Sequence, residues 1–243
     1  GVLDSAGSVP AQDAVLTIEW GGTAAWSWSG SEGKLEAVPA ANWQWPDGGV
    51  VSLSGEAPNL PAVASQAVVP PPVGCVVDAS FGWDTVSYPW SSEVFIEDHF
   101  KVSLTNHAGE ADHYLLVFEQ RYPEFETQWT AAWNIEANLS TAQRLDYNVF
   151  AVGYLIEDLD LDQTPFSDLG FVSIRSESEL KGEVQWRLRV QSITPDLATH
   201  YESLQAFFSS QDNPFSEPAS VFGNIEGGFG ILGLCRELIF PLE

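Results

Sequence analysis

The feature that most restricts the fold of this 243-residue chain is a strict alternation of apolar and polar side chains within residues 183–193. The alternating set reads Val184, Gln185, Trp186, Arg187, Leu188, Arg189, Val190 and Gln191. A period of two predicts a β-strand with one buried face and one solvated face. Shorter apolar or alternating runs lie at residues 15–20, 50–53, 100–105 and 114–119. The sequence therefore predicts a mainly β protein, in which we expect the last two runs to pair as neighbouring strands.

A run of three prolines indicates how the chain is divided. Pro70, Pro71 and Pro72 have no backbone N–H and favour a stiff extended conformation, which is typical of a linker. We expect a small, incomplete or reduced β-sandwich domain over residues 1–69, a linker over 70–74 and a larger β-rich domain over 75–243. Both domains are predicted to be β-sandwich-like, of the immunoglobulin or transthyretin kind.

One amphipathic helix is predicted at residues 195–210. Thr194 is a good N-cap, Pro195 suits the first helical position, and Asp196 suits the positive end of the helix dipole. The apolar residues that follow are spaced by four, three and four positions and define one face, which consists of Leu197, Tyr201, Leu204 and Phe208.

The charge of the chain excludes one class of partner and disfavours another. Lys and Arg number 9 and Asp and Glu number 34, which gives a net charge of −25. Nucleic acids and anionic membrane surfaces are bound through clustered cations, so neither is an expected partner.

A hydrophobic content of 44% indicates a folded protein. No apolar run approaches the roughly 18 residues that span a bilayer.

A glycine-rich segment near the C-terminus matches the spacing G-x-G-x-x-G over residues 228–233. A dinucleotide site also needs a strand before these glycines, a helix after them and an acidic residue about 20 positions further on. The following residues are typical of a strand, and the chain ends ten residues later. We therefore interpret the match as a turn or bulge that needs positive φ.

The aspartates Asp158, Asp160 and Asp162 alternate along one segment and form a candidate calcium site. The EF-hand pattern is not met, because Gln163 stands where glycine is needed, and a solvated acidic loop is the alternative interpretation. His107 and His113 flank a predicted turn and form a second, weaker candidate metal pair. No other cofactor is expected.

Two pairs of tryptophans are candidates for a ligand platform. Trp26 and Trp28, and Trp43 and Trp45, are each two positions apart, so each pair projects from one face if its backbone is extended. Flat aromatic rings beside carboxylates suit the stacking of carbohydrate, or of a peptide ligand. Packing within a core or a domain interface explains the same residues without a ligand.

The two cysteines, Cys75 and Cys235, are a candidate disulfide if their strands are neighbours in one sheet, and buried free thiols are the alternative. No catalytic residues are predicted, because the H-E-x-x-H, G-x-S-x-G and P-loop motifs do not occur. Glycoside hydrolysis by a pair of carboxylates stays open as an alternative, since 34 acidic residues offer too many pairs to choose among.

The C-terminal third resembles a known family. The residues that carry the resemblance are the segment 213–218 (NPFSEP), then Asn224, Gly227, Gly228, Gly230 and Gly233, preceded by a helix start like residues 192–195. These features resemble a Bacteroidetes lipoprotein family known as domain of unknown function 4249. The resemblance is strong over residues 165–235 and weaker over about 14–164, where it includes the proline run.

This resemblance implies a lipid-anchored protein of the outer membrane, on its periplasmic or cell-surface side. It also implies a non-catalytic accessory role beside a TonB-dependent transporter in nutrient uptake. A cell-surface carbohydrate-binding module is the alternative function. The cysteine that would carry the lipid is not among the residues of this sequence.

Overall fold

A computed structural model describes residues 13–20, 23–30, 48–104, 112–122, 128–132, 134–138, 142–147, 151–157, 166–176, 184–211 and 219–242. Within these residues the chain forms fourteen strands and one helix, which confirms the mainly β prediction. The elements in chain order are β1 (Ala14–Trp20), β2 (Thr23–Gly30), β3 (Val50–Glu56), β4 (Val63–Val68), β5 (Cys75–Ser87), β6 (Val94–Leu104), β7 (His113–Arg121), β8 (Thr130–Ala131), β9 (Ile135–Ala137), β10 (Ala142–Tyr147), β11 (Ala151–Glu157), β12 (Phe166–Ser176), β13 (Gln185–Ile193), α1 (Pro195–Gln211) and β14 (Cys235–Leu242).

The N-terminal strands form one antiparallel sheet in the order β2-β1-β3-β4. Val51 and Ala67 pair across β3 and β4 and are buried, whereas their chain neighbours Val50 and Val68 are exposed. The strands predicted at residues 15–20 and 50–53 are confirmed as β1 and β3. The proline run follows β4 without regular secondary structure and leads into β5. The division of the chain into two domains stays a prediction.

Two further antiparallel sheets pack face to face and enclose the main core. One has the order β5-β6-β12-β9, and the other has the order β10-β11-β7-β13-β14 with β8 beside β7. Rings from the two sheets meet across the core, with centroids 5.4 Å apart for Phe100 and Trp186 and 4.9 Å apart for Phe118 and Phe171. The alternation in residues 184–191 is confirmed, because Trp186 is buried in this core while Gln185 is exposed.

The expected pairing of the strands around residues 106–112 is wrong. β6 and β7 belong to different sheets, and their rings Phe100 and Phe118 face each other with centroids 5.1 Å apart. β7 pairs instead with β11 and β13. Alternation along a strand reports which face is buried, but two strands that face each other across a core show the same alternation as two neighbours in a sheet.

The helix α1 confirms the prediction for residues 195–210. It begins after Thr194, whose carbonyl accepts hydrogen bonds from the N–H groups of Leu197 and Ala198 at 3.0 and 3.1 Å. The Thr194 hydroxyl accepts a 3.4 Å hydrogen bond from the N–H of Leu234, on the segment that leads into β14. The apolar face of the helix covers the outer side of β7, β10 and β11, through Leu197, Tyr201 and Phe208. No helical segment in the described ranges has the length and apolar character that crossing a bilayer requires.

Candidate functional site

The five residues predicted as a structural motif lie in residues 224–233, here called the glycine loop. Asn224 holds this loop closed, because its Oδ1 accepts from the N–H of Leu232 at 2.8 Å and its Nδ2 donates to the carbonyl of Leu232 at 3.2 Å. The same Nδ2 donates to Oδ2 of Asp196 at 2.7 Å. Asp196 belongs to the first turn of α1, so Asn224 fixes both the shape of the loop and its position against the helix.

The glycine loop connects the C-terminal part of the chain to the first sheet. Glu226 and Ala64 exchange two backbone hydrogen bonds of 2.8 and 3.1 Å, so the loop extends the edge of β4. Gly227 has a φ of +74°, and a Cβ placed there would lie 2.3 Å from the carbonyl oxygen of Ala62. Only glycine fits this position, because any other residue would combine backbone strain with overlap of main-chain atoms.

The remaining glycines of the loop are explained by packing and turn geometry. A Cβ on Gly228 would lie 2.9 Å from Cγ1 of Val63, and one on Gly233 would lie 2.7 Å from Cδ1 of Leu197. Gly230 has a φ of +127°. The loop runs into β14 and not into a helix. The interpretation of the G-x-G-x-x-G match as a turn is therefore confirmed.

The candidate disulfide between Cys75 and Cys235 is wrong. Both thiols are free. The expectation required neighbouring strands, but Cys75 begins β5 in one sheet and Cys235 begins β14 in the other. Burial raises the pKa of the Cys75 thiol to about 12. Burial also raises the pKa of Cys235, together with the negative charge of Glu237, although the nearby guanidinium of Arg189 opposes that rise.

The predicted tryptophan and aspartate sites lie mostly outside the described residues. Trp43 and Trp45 are outside them, as are Asp158, Asp160 and Asp162. The backbone of Trp26 and Trp28 is described, and both lie in the extended strand β2 opposite Ile18 and Leu16 of β1. The tryptophan platform and the calcium site therefore stay predictions.

The histidine pair is described only at His113, because His107 lies outside the described residues. Nε2 of His113 is 3.6 Å from Oε1 of Glu157. Glu202 on α1 belongs to the same neighbourhood: burial and the charge of Glu157 raise its pKa, and His113 opposes the rise. Across the described ranges, no three His, Cys, Asp or Glu side chains are grouped so that they would hold a metal ion.

An exposed aromatic surface lies on the face of β6 that points away from the core. Side chains alternate along β6: Asp98 and Phe100 are buried in the sandwich, so Phe95 and His99 point outward. The ring of Trp83 lies against the ring of His99 with centroids 5.7 Å apart. Trp83, on the neighbouring strand β5, therefore belongs to the outward face and is 67% exposed.

The turn between β5 and β6 extends this surface. Tyr88 stacks on Trp90 with ring centroids 4.8 Å apart, and meets Phe95 edge to face at 5.2 Å. Trp90 is 79% exposed. The surface formed by Trp83, Tyr88, Trp90 and Phe95 is here called the aromatic face. Large aromatic rings left in water at one place are typical of a binding surface.

A groove of about 440 Å³ begins at the aromatic face and crosses the sheet toward β9. Its apolar side consists of Tyr88, Phe95 and Ile174, and its polar side consists of Asn134, Glu136 and Arg144. The volume lies within the range of about 300–1,000 Å³ that is usual for small-molecule sites. The groove therefore has the size and the mixed lining of a ligand site.

A buried carboxylate shapes the strand that presents Trp83. The pairing of β5 with β6 shifts between Ser80 and Asp84, which places residues 81–83 opposite Asp98 in a bulge. Gly82 adopts a φ of +63°, and its N–H donates to Oδ1 of Asp98 at 2.9 Å. Arg175 on β12 pairs with the same carboxylate, with Nη2 2.9 Å from Oδ1 and Nε 2.5 Å from Oδ2. The bulge and the ion pair together direct Trp83 outward.

Sequence reasoning did not find the aromatic face or the groove. The spacing of two indicates other tryptophans, whereas Trp83 and Trp90 are seven positions apart; Trp83 lies in a bulge of β5 and Trp90 lies in the turn after it. One sequence signal does indicate the bulge: Gly82 is a single glycine between Phe81 and Trp83, and isolated glycines in strands indicate bulges. Comparison with protein-family profiles, curated proteins and solved structures finds no match to this chain.

Proposed function

We propose that this chain is a non-catalytic binding protein, anchored by lipid at the outer membrane, that assists a TonB-dependent transporter in nutrient uptake. The observation that carries the binding role is the open groove beside the aromatic face. The resemblance of residues 165–235 to the lipoprotein family supports the cellular setting and the transporter as partner.

The geometry of the groove supports a binding role because its walls are rigid. Phe95 and Ile174 project from neighbouring strands of the same sheet, and Glu136 projects from the strand beyond them. Side chains held by a paired sheet keep their spacing, so little conformational entropy is lost when a ligand binds. A preformed site of this kind suits capture of a ligand before its transfer to a transporter.

A stand-alone carbohydrate-binding module on the cell surface is the second candidate function. The same groove favours it, because aromatic rings beside hydrogen-bonding side chains suit sugar rings. The two candidates differ in one respect that can be measured: only the accessory role needs an outer-membrane transporter as a stable partner.

The test is co-purification from native membranes. The full-length protein carries an affinity tag in its natural host, and its complexes are extracted with a mild detergent. The accessory role predicts that one outer-membrane β-barrel protein is recovered in near-equal amount, and that a tagged lipoprotein of unrelated sequence does not recover it. If the tagged protein is found at the outer membrane without any barrel, the accessory role is wrong and the stand-alone module is the better description.

A further inference from the structure

The groove has two sides of different chemistry. The ring of Tyr88 lines the groove; it stacks on Trp90 with centroids 4.8 Å apart and meets Phe95 edge to face at 5.2 Å. The opposite side carries the exposed carboxylate of Glu136 and the amide of Asn134. A sugar ring has the same two-sided character, with a face of C–H bonds that stacks on aromatic rings and a rim of hydroxyls that form hydrogen bonds.

The charge of the groove distinguishes among ligands. Its two ionised lining residues, Glu136 and Arg144, carry opposite formal charges, so the lining is neutral in a chain of net charge −25. An anionic ligand would approach against the net charge of the whole molecule. A cationic ligand would be attracted by the net charge and by Glu136, but would be repelled by the guanidinium of Arg144 within the groove. A neutral ligand that is rich in hydroxyl groups meets neither repulsion.

Asn134 adds an acceptor that the described part of the protein does not satisfy. Its Nδ2 donates to Oγ of Ser173 at 3.1 Å and to the carbonyl of Ile174 at 3.0 Å. Its Oδ1 is shielded from solvent and has no hydrogen-bond partner among the described residues. Buried acceptors are normally paired. A ligand hydroxyl in the groove would supply the missing donor once the Asn134 side chain turns to bring Oδ1 to the groove surface.

We infer that the groove binds a neutral saccharide, with one ring stacked on Tyr88 and its hydroxyls bonded to Glu136 and Asn134. This inference rests on the binding function proposed above and names the ligand class for that site. Trp90 holds the Tyr88 ring in place from the other side.

The test is calorimetric titration of the intact chain with defined oligosaccharides. The neutral probes are maltohexaose, cellohexaose, xylohexaose and mannohexaose, and the charged probes are trigalacturonate and a glucosamine trimer. At least one neutral probe is expected to bind, and to bind more tightly than either charged probe. The affinity for that neutral probe should change less than about twofold between low and high salt, because no ion pair with the ligand is screened.

Three variants locate the binding in the groove. Tyr88→Ala is expected to lower the affinity for the bound neutral probe by about tenfold or more, since it removes the stacking ring. Glu136→Ala removes an exposed side chain, so it tests the groove without risk to the core. This variant should also have a lower affinity for the same probe. Phe229→Ala is the matched control, because Phe229 is a fully exposed aromatic residue of the glycine loop and does not line the groove; the affinity of this variant should equal that of the unmodified protein.

Two results would overturn the inference: binding of charged probes only or of no probe, and unchanged affinity in both groove variants. Either result is separate from the test of the proposed function. A barrel that co-purifies while no saccharide binds contradicts the ligand class and leaves the accessory role standing. If a saccharide binds while no barrel co-purifies, the ligand class is supported and the accessory role is wrong.

Discussion

Asp98 shows how one buried carboxylate can determine the shape of an exposed surface. Its side chain is fully buried, accepts a hydrogen bond from the bulge at Gly82, and pairs with Arg175. An ion pair of this kind contributes little net stability compared with apolar residues, but the loss of one partner leaves an uncompensated charge in the core. Its role here is to specify the conformation of the strand that carries Trp83.

We predict that Asp98→Ala lowers the free energy of unfolding by about 3–5 kcal/mol, because Arg175 would be left buried without its counter-charge. Urea denaturation followed by far-UV circular dichroism measures the change. Asp84→Ala is the control: Asp84 is exposed on the neighbouring strand β5, where its carboxylate accepts from the N–H of the adjacent Thr85. Equal stability of the two variants would contradict the role given to the buried pair.

Cys75 gives a prediction about alkaline pH. Burial raises its thiol pKa from 9.0 to about 12. Between these values the unfolded chain loses the proton while the folded chain keeps it, so the unfolded state is favoured and stability falls as pH rises from 9 toward 12. Below pH 9 both states are protonated and this contribution to stability is fully present.

The measurement is the midpoint of urea denaturation at a series of pH values under reducing conditions. Cys75→Ala should show a shallower alkaline decline than the unmodified protein. A residual decline is expected, because burial raises the pKa values of Cys235 and Tyr201 in the same direction. Identical pH profiles for the variant and the unmodified protein would show that the Cys75 thiol is not buried as described.

At the scale of elements, predictability follows the range of the interactions involved. The strand β13 and the helix α1 could be predicted because their signals are local: alternation over residues 184–191, and Thr194 and Pro195 ahead of an apolar face. The assignment of β6 and β7 to different sheets could not be predicted, because it depends on which distant strands each of them pairs with. The aromatic face needed the same knowledge, since Asp98 and the bulge in β5 meet only after the sheet has formed.

The glycine loop is the second element-scale feature, and two glycines allow its contribution to be measured. Gly227 and Gly48 both have positive φ, of +74° and +67°, but only Gly227 is close to other atoms. Gly48→Ala should cost about 1 kcal/mol of stability from backbone strain. Gly227→Ala should cost at least about 3 kcal/mol, because its Cβ also overlaps the carbonyl of Ala62. Thermal denaturation compares them, and similar costs would mean that the contact with β4 contributes nothing.

At the scale of the whole molecule, two parts of the chain that are far apart in sequence are in contact. The first sheet is built from residues 14–68, and the glycine loop returns to its edge at Ala64 from near the other end of the chain. Nothing in the local sequence indicates this contact, because Gly227 and Gly228 are explained by atoms of Ala62 and Val63, which lie far away in sequence. The motif could be noticed from the sequence, and only the fold explains why each glycine is needed.

The contact between the glycine loop and β4 has a consequence if the chain is cut in two. We predict that cleavage at a protease site inserted between Pro72 and Val73 does not separate the pieces at high protein concentration. The glycine loop keeps its close packing against Ala62 and Val63 as well as its two backbone hydrogen bonds to Ala64. Size-exclusion chromatography and native mass spectrometry should show both fragments in one particle. The same cut in Gly227→Ala should release the N-terminal fragment; co-elution of both fragments in that variant would mean that other contacts hold them. If the fragments of the cut protein stay in one particle, the first sheet behaves as one subunit of a heterodimer whose two subunits are encoded in one chain. Such a pair of fragments is a starting point for a split reporter.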